Sequence, residues 1–157
     1  MVAALLLEGC KVLVDFNKGG ANRAPKFPMP SNWEYLLHYY YLSNNDEALK
    51  AVTVTLDNMA FGGIYDHLDG GFARYSTDMN WHVPHFEKML YDNAQLVSLY
   101  SDAFLITKNS VYKDVVGRNI NLHCPTCIVD AFKYLYESYL PTLQEPQVIE
   151  TKTKKRK

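Results

Sequence analysis

Residues 62–93 of this chain, GGIYDHLDGGFARYSTDMNWHVPHFEKMLYDN, limit its possible folds more than any other stretch. They form a long connection between helical stretches, and such loops in a compact domain are uncommon unless disordered or functional. Disorder does not fit, because Tyr65, Phe72, Tyr75, Trp81 and Phe86 all lie here and disordered segments are poor in such residues. The segment also holds Asp66, Asp69, Arg74, Asp78, Glu87 and Asp92, with His67, His82 and His85 from a chain total of five histidines. Its diglycines, Gly62-Gly63 and Gly70-Gly71, allow close backbone approach and positive φ, as a wall pressed against a ligand requires. The expectation is an ordered loop that lines a site.

The flanks read as helices. Ser31-Asn32-Trp33-Glu34 has the form of a capping box after Pro30, and Trp33, Leu36, Leu37, Tyr40 and Tyr41 recur at helical spacing. Asn44-Asn45-Asp46 supplies a turn and a cap for a second helix, whose Leu49, Val52, Leu56 and Met59 share a side before Gly62-Gly63 ends it. Two helices joined so tightly form an antiparallel hairpin. Residues 70–81 are expected to make a small two-stranded excursion turning at residues 77–80. Pro84 is predicted to open a third helix with Phe86, Leu90, Val97, Tyr100 and Phe104 on one face, ending near Lys108-Asn109. Ser110 caps a fourth, carrying Tyr112, Val115 and Val116, and after the break at Cys124-Pro125 a fifth covers residues 128–140 until Pro141. With no strand pattern of any length, the class is all-α.

At 157 residues, 48% hydrophobic and 21% charged, the chain has the size and composition of one globular domain. Its net charge of −1 conceals a basic tail, TKTKKRK; without those five of its 16 basic residues, 11 face 17 acidic groups, a net of −6. An acidic body argues against nucleic acid as a partner. No stretch is apolar enough to span a membrane, and the first ten residues are too short and unflanked for a signal peptide. Three cysteines, Cys10, Cys124 and Cys127, are too few for a disulfide scaffold and agree with a reducing, cytoplasmic setting. The tail reads as a solvated terminus.

A site for a small carbonyl-bearing molecule needs aromatic faces, fixed hydrogen-bond donors and acid/base groups. The loop offers all three. His67 and His85 are candidate proton carriers, with His82 a further imidazole. Glu87, Asp92 and Asp66 are candidate acids, bases or orienters, and Arg74 and Lys88 candidate partners for a developing oxyanion. Tyr65, Asp66, Tyr75, Trp81, Lys88 and Tyr91 are the expected substrate contacts. With a helix opening at Pro84, Glu87 and Lys88 fall on its first turn and Glu87 and Tyr91 on one side. Each also has a structural reading: Glu87 and Lys88 as surface residues, Tyr91 as core, His67 as a brace on a backbone carbonyl. His82-x-x-His85 is a poor metal pair because Pro84 interrupts it, and Cys124-Pro125-Thr126-Cys127 is a lone CxxC with no second pair. No cofactor or metal is expected.

Three motifs in order, APKFPMPSN at residues 24–32, GGIYDHLDGGFARYS at 62–76 and WHVPHFEKMLYDNA at 81–94, resemble the spermatogenesis-associated protein 20 family. The resemblance covers residues 15–116. It implies an (α/α)6 toroid of the six-hairpin glycosidase and N-acylglucosamine 2-epimerase type, joined in such proteins to a thioredoxin-like domain that these motifs do not include. It carries Arg74, Tyr75, His85, Glu87, Lys88, Tyr91 and Asp92 over as site residues. Asp69 stands where the family motif has glycine and Ala73 where it has histidine. Twelve helices in a chain of 157 residues leave about 13 residues for each with its connection, too few beside a mean helix of ~11–12. The expectation is a portion of a toroid: an N-terminal segment to residue 23, helical hairpins over 24–116, and a divergent helical end with a basic tail over 117–157. The toroid implies carbohydrate chemistry. An epimerase-like proton transfer by His85 or His67 comes first, hydrolysis by two of Glu87, Asp92 and Asp66 second, and a non-catalytic remnant third. Inner faces such as Phe86, Leu90 and Val97 would then seek self-association or complementary hairpins.

Overall fold

The computed structural model describes residues 14–123. Four helices are present among them: α1 (Pro30–Ser43), α2 (Asp46–Phe61), α3 (Leu90–Thr107) and α4 (Ser110–His123). Two strands of two residues each, β1 (Tyr75–Ser76) and β2 (Pro84–His85), pair antiparallel inside the long connection, with Tyr75 opposite His85 and Ser76 opposite Pro84. The all-α hairpin class is correct. α1 packs on α2 and α3, and α4 packs on α3 and α2, so two consecutive hairpins lie side by side.

Local chemistry accounts for the helix ends. Pro30 is the first residue of α1, where its fixed φ suits the helix and its missing N–H costs nothing. Ser31 therefore makes no capping box: it already lies inside the helix, the N-cap is Met29 at φ 46°, and the Asn32 N–H bonds the Met29 carbonyl at 3.0 Å. α1 ends where Asn44 turns left-handed, and the next residue caps α2, Asn45 Oδ1 accepting from the Ala48 N–H at 3.1 Å. That two-residue reversal makes the first hairpin. The second turns at Lys108-Asn109, where Asn109 Oδ1 accepts from the Val111 N–H at 3.1 Å; the cap lies one residue before the expected Ser110.

The core sits where the apolar faces meet. Trp33, Leu36, Leu37, Val52, Leu56 and Met59 from the first hairpin pack with Leu96, Leu99, Tyr100, Tyr112 and Val115 from the second. Each such side chain contributes roughly 1.5–3 kcal/mol of transfer free energy. Tyr41, expected on the buried face of α1, is 75% exposed. Buried hydroxyls and indoles find partners: Trp33 Nε1 donates to the Pro28 carbonyl at 2.6 Å and the Tyr100 hydroxyl to the Leu56 carbonyl at 2.8 Å.

The third helix begins at Leu90, not Pro84. Pro84 and His85 are committed to the ladder with β1, and the Arg74 N–H continues that pairing to the Glu87 carbonyl at 2.8 Å. A strand at residues 84–85 and the Arg74–Glu87 backbone bond leave no room for a helical turn there. Phe86 consequently has no place on the α3 face and is 89% exposed; Leu90 is exposed too, whereas Val97 is buried. The fifth expected helix and the CxxC at Cys124–Cys127 lie outside the described residues. Among the described residues no helix is long and apolar enough to cross a membrane. α4 runs without interruption through residue 116, and the segment from Val14 is tied to the core by a Gly20 N–H to Thr55 Oγ1 bond of 3.0 Å.

Candidate functional site

The long connection is held by a few side chains that reach across it. Asn93 is the main one: buried in the first turn of α3, its Oδ1 accepts from the Phe72 N–H at 2.7 Å, and its Nδ2 donates to the Phe72 carbonyl at 2.9 Å and the Met89 carbonyl at 3.0 Å. It acts as a strand partner for the GGF turn. Lys88 Nζ closes the same turn from outside, 2.6 Å from Asp66 Oδ2 and 2.8 Å from the Gly70 carbonyl, while Asp66 Oδ1 accepts from the Leu68 and Asp69 N–H groups. The Lys88 hydrogen bond, then those two N–H bonds, lower the Asp66 carboxyl from 3.8 to about 2. Gly70 is required here: its φ is 84°, and a Cβ would lie 2.8 Å from the Arg118 carbonyl oxygen of α4.

A buried lysine holds the base of the hairpin. Lys26 is fully buried, its Nζ 3.0 Å from Asp15 Oδ2 and 2.6 Å from the Gly19 carbonyl, lying 5.5 Å from the centre of the Trp81 ring. Its backbone N–H and carbonyl pair with Ser76 on β1, both at 2.8 Å. The first and second of the three motifs are thereby joined. Sequence reasoning passed over Lys26 and Asn93, although each lies inside a quoted motif.

On the outer side of this frame, β1 and β2 display a row of functional groups. The His85 imidazole stacks on Tyr75 with centroids 4.7 Å apart and planes 15° apart, and Tyr75 packs against Phe27 at 4.9 Å. His85 Nδ1 lies 3.8 Å from Glu87 Oε2, and the same Oε2 lies 4.0 Å from an Arg74 guanidinium nitrogen. All three side chains are about half exposed, so the row faces outward rather than serving the core. His85 Nδ1 is nevertheless covered and makes no hydrogen bond among the described residues, only the long contact to Glu87. Asp92, partly buried at the start of α3, has its carboxyl raised by that burial, with the Arg74 charge pulling the other way. His85, Glu87, Arg74 and Tyr75 thus lie together, and Asp92 is linked to them only through the Arg74 charge.

The remaining expected residues take other places. Trp81 is a core side chain: at φ 63° its backbone swings the indole inward, fully buried, with Nε1 donating to the Lys18 carbonyl at 2.8 Å. Tyr65 is buried against Phe72 and His67, its hydroxyl without a partner among the described residues. His67 Nε2 lies 3.1 Å from the Gly62 carbonyl, which can only accept, so this nitrogen carries a proton and braces the loop. Asp66 and Lys88 are consumed by their mutual ion pair. Tyr91 is exposed beside Asp92 but no longer shares a first turn with Glu87, which precedes the helix. Among the described residues no group of three His, Cys, Asp or Glu side chains converges to hold a metal.

Fold and geometry define an all-α protein of paired helical hairpins, with a glycine-framed loop presenting an imidazole, a guanidinium and carboxylates on an aromatic backing. In sequence this chain is similar to spermatogenesis-associated protein 20: 48% identical over 105 residues to the protein of that name in Homo sapiens and 47% in Mus musculus. An uncharacterized Caenorhabditis elegans protein is 45% identical over 98 residues. The human match takes in 64% of this chain and 13% of the relative, so the chain spans about 13% of the length of the curated relatives it matches. No family profile matches the chain.

Proposed function

We propose that this chain carries one wall of a carbohydrate-processing site of the epimerase or isomerase kind, acting on a hydroxylated carbonyl compound such as an N-acylated aldose. The observation that supports this most is the outward row His85, Glu87, Arg74, with contacts of 3.8 and 4.0 Å, backed by Tyr75. Aromatic backing beside hydrogen-bonding groups suits the mixed faces of a sugar. In this reading His85 removes the proton from the carbon next to the carbonyl through Nε2, and the electron pair moves onto the carbonyl oxygen. Arg74 stabilises that oxyanion, a role for which a fixed cation is worth far more than mobile water. Glu87 stands between the two and balances the charge His85 gains. Asp92, at the start of α3 within the field of the Arg74 charge, returns a proton to the carbon and is recharged from solvent, while His85 releases its own to solvent. The reaction as written needs these side chains and solvent protons.

A wall is not a pocket, and the row is half exposed. The reading therefore assigns the opposite walls to further helical hairpins of the six-hairpin toroid that the family resemblance implies, and expects little turnover from this chain by itself. Hydrolysis is the second reading, and with Asp66 tied to Lys88 at 2.6 Å it would fall to Glu87 and Asp92 as the carboxyl pair.

The test is hydrogen exchange. The chain is incubated in deuterated buffer with a panel of N-acylated and simple aldoses, following loss of the C2 proton by NMR beside the thermal midpoint. Exchange that vanishes in His85→Ala and slows in Arg74→Lys, with a midpoint raised by the same sugar, is the expected result. A sugar that raises the midpoint with no exchange reduces the site to binding alone. Release of free sugar from an aryl glycoside identifies hydrolysis instead, and no response to any sugar sinks the proposal.

A further inference from the structure

Apart from the His85 row, a recess of about 220 Å³ is lined by Lys18, Asp57, Asn58, Phe61, Asn80 and His82. Three separate stretches build it. Asp57, Asn58 and Phe61 come from the last turns of α2, Asn80 and His82 from the reversal between β1 and β2, and Lys18 from the turn that Asp15 organises. Each stretch is fixed by contacts outside the recess. Asp78 Oδ1 accepts from the Asn80 and His82 N–H groups at 3.2 and 3.1 Å, setting the reversal. The Ile64 N–H holds the Trp81 carbonyl at 2.9 Å, and the Trp81 indole holds the Lys18 carbonyl. Gly63 lets the reversal approach α2 so closely that a Cβ there would lie 2.2 Å from the His82 carbonyl oxygen. The recess is thus a product of the fold.

Its chemistry is mixed and unspent. The Tyr112 hydroxyl donates to Asp57 Oδ1 at 2.9 Å, which orients the carboxylate while Oδ2 takes no part in that bond. Asn58 Nδ2 donates to the Val54 carbonyl at 2.8 Å, leaving its Oδ1 as an acceptor. The side chains of Lys18, Asn80 and His82 make no hydrogen bond to any other described residue, and Phe61 is 68% exposed. One cation and one carboxylate balance, and the negative end of α2 favours donors over anions. The lining therefore selects a neutral ligand whose groups both donate and accept, with one apolar face for Phe61. Hydroxyls on a ring have that character. The volume, about seven waters' share of liquid, is below the usual 300 to 1,000 Å³ of larger ligands, and the recess is open to solvent, so it meets one face of a small ring and does not enclose it.

We propose that this recess is a binding site for a single neutral monosaccharide or cyclic polyol, distinct from the His85 row and independent of the chemistry proposed there. Asp57 and Asn58 accept from ring hydroxyls, Lys18 and Asn80 donate to them, His82 bonds one more, and Phe61 covers a C–H face.

NMR titration of the whole chain tests this, using glucose, mannose, N-acetylglucosamine and myo-inositol, with alanine as a zwitterion and inorganic phosphate as an anion. Saturable shifts of the Asn80 and His82 backbone amides and the Asn58 side-chain amide are expected with at least one sugar or inositol. Asn80→Ala and His82→Ala should each weaken that binding by about tenfold or more, while His85→Ala leaves it unchanged. Both substituted side chains are exposed and unbonded, so the remaining spectrum should persist and report a folded chain. The proposal is overturned if no sugar or polyol gives saturable shifts there, if alanine or phosphate binds the same residues more tightly, or if the shifts survive in both variants.

Discussion

Lys26 shows how much one buried charge is asked to do. Its ammonium satisfies Asp15 and the Gly19 carbonyl and lies near the Trp81 ring, tying the N-terminal turn to the hairpin. Removing one member of a buried pair leaves the other uncompensated. Lys26→Met should therefore lower the unfolding free energy by roughly 3 kcal/mol, the low end of that class because Asp15 reaches water, as read from urea denaturation. Asp66 makes the complementary case at the surface. Its carboxyl is lowered to about 2 in the folded chain from an ordinary 3.8, so its contribution is full above the unfolded value and disappears as pH falls through the folded one. The stability gap between the wild-type chain and Asp66→Asn should accordingly be constant above about pH 5 and shrink between about pH 4 and pH 2. Thermal melts across that range check it; a gap that persists to the acid end contradicts the ion pair.

At the scale of elements, the long connection behaves as a strapped loop. Asn93→Ala removes three hydrogen bonds to Phe72 and Met89 and leaves buried backbone groups unpaired, at about 2–3 kcal/mol, and should loosen the Arg74 backbone that follows. Amide exchange of residues 70–75 should rise with it. Two glycine substitutions distinguish approach from propensity. Gly63→Ala forces a Cβ onto the His82 carbonyl and should cost well over 1 kcal/mol, whereas Gly117, inside α4 with nothing within 4 Å of an added Cβ, should gain about 0.5–1 kcal/mol as alanine. Opposite shifts in melting midpoint are the expected outcome. Equal shifts would mean the reversal can move away from α2.

For the molecule as a whole, the exposed apolar side chains matter most. Phe86, Leu90 and Tyr91 crowd the approach to α3 beside the proposed site, and Leu68 lies bare on the GGF turn. Surfaces of this kind are covered when a partner is present and drive association when it is not. The chain is expected to self-associate with rising concentration in sedimentation velocity. Phe86→Lys combined with Leu90→Lys should shift it toward monomer without lowering the melting midpoint, since neither side chain belongs to the core. An unchanged sedimentation profile would remove this surface as the cause.

Local signals in the sequence determined the class, the turns and most of the core. Asn44-Asn45-Asp46 and Lys108-Asn109 are short-range stereochemistry, and the spacing of Trp33, Leu36 and Leu37 or of Val52, Leu56 and Met59 is a helix property, so both are legible without a structure. The three motifs likewise pointed to the relatives the chain is similar to. The fates of the loop side chains were decided by tertiary contacts. Pro84 looked like a helix start because proline commonly is one, yet pairing with β1 places Pro84 and His85 in a strand. Trp81 looked like a sugar platform because exposed indoles are, yet a left-handed backbone angle buries it beside Lys26. Asp66, Lys88 and His67 looked reactive because their groups are, yet each is taken up in bracing the loop. Residue type announces what a side chain can do; which partner it meets depends on residues far along the chain, and only the packed fold brings them together.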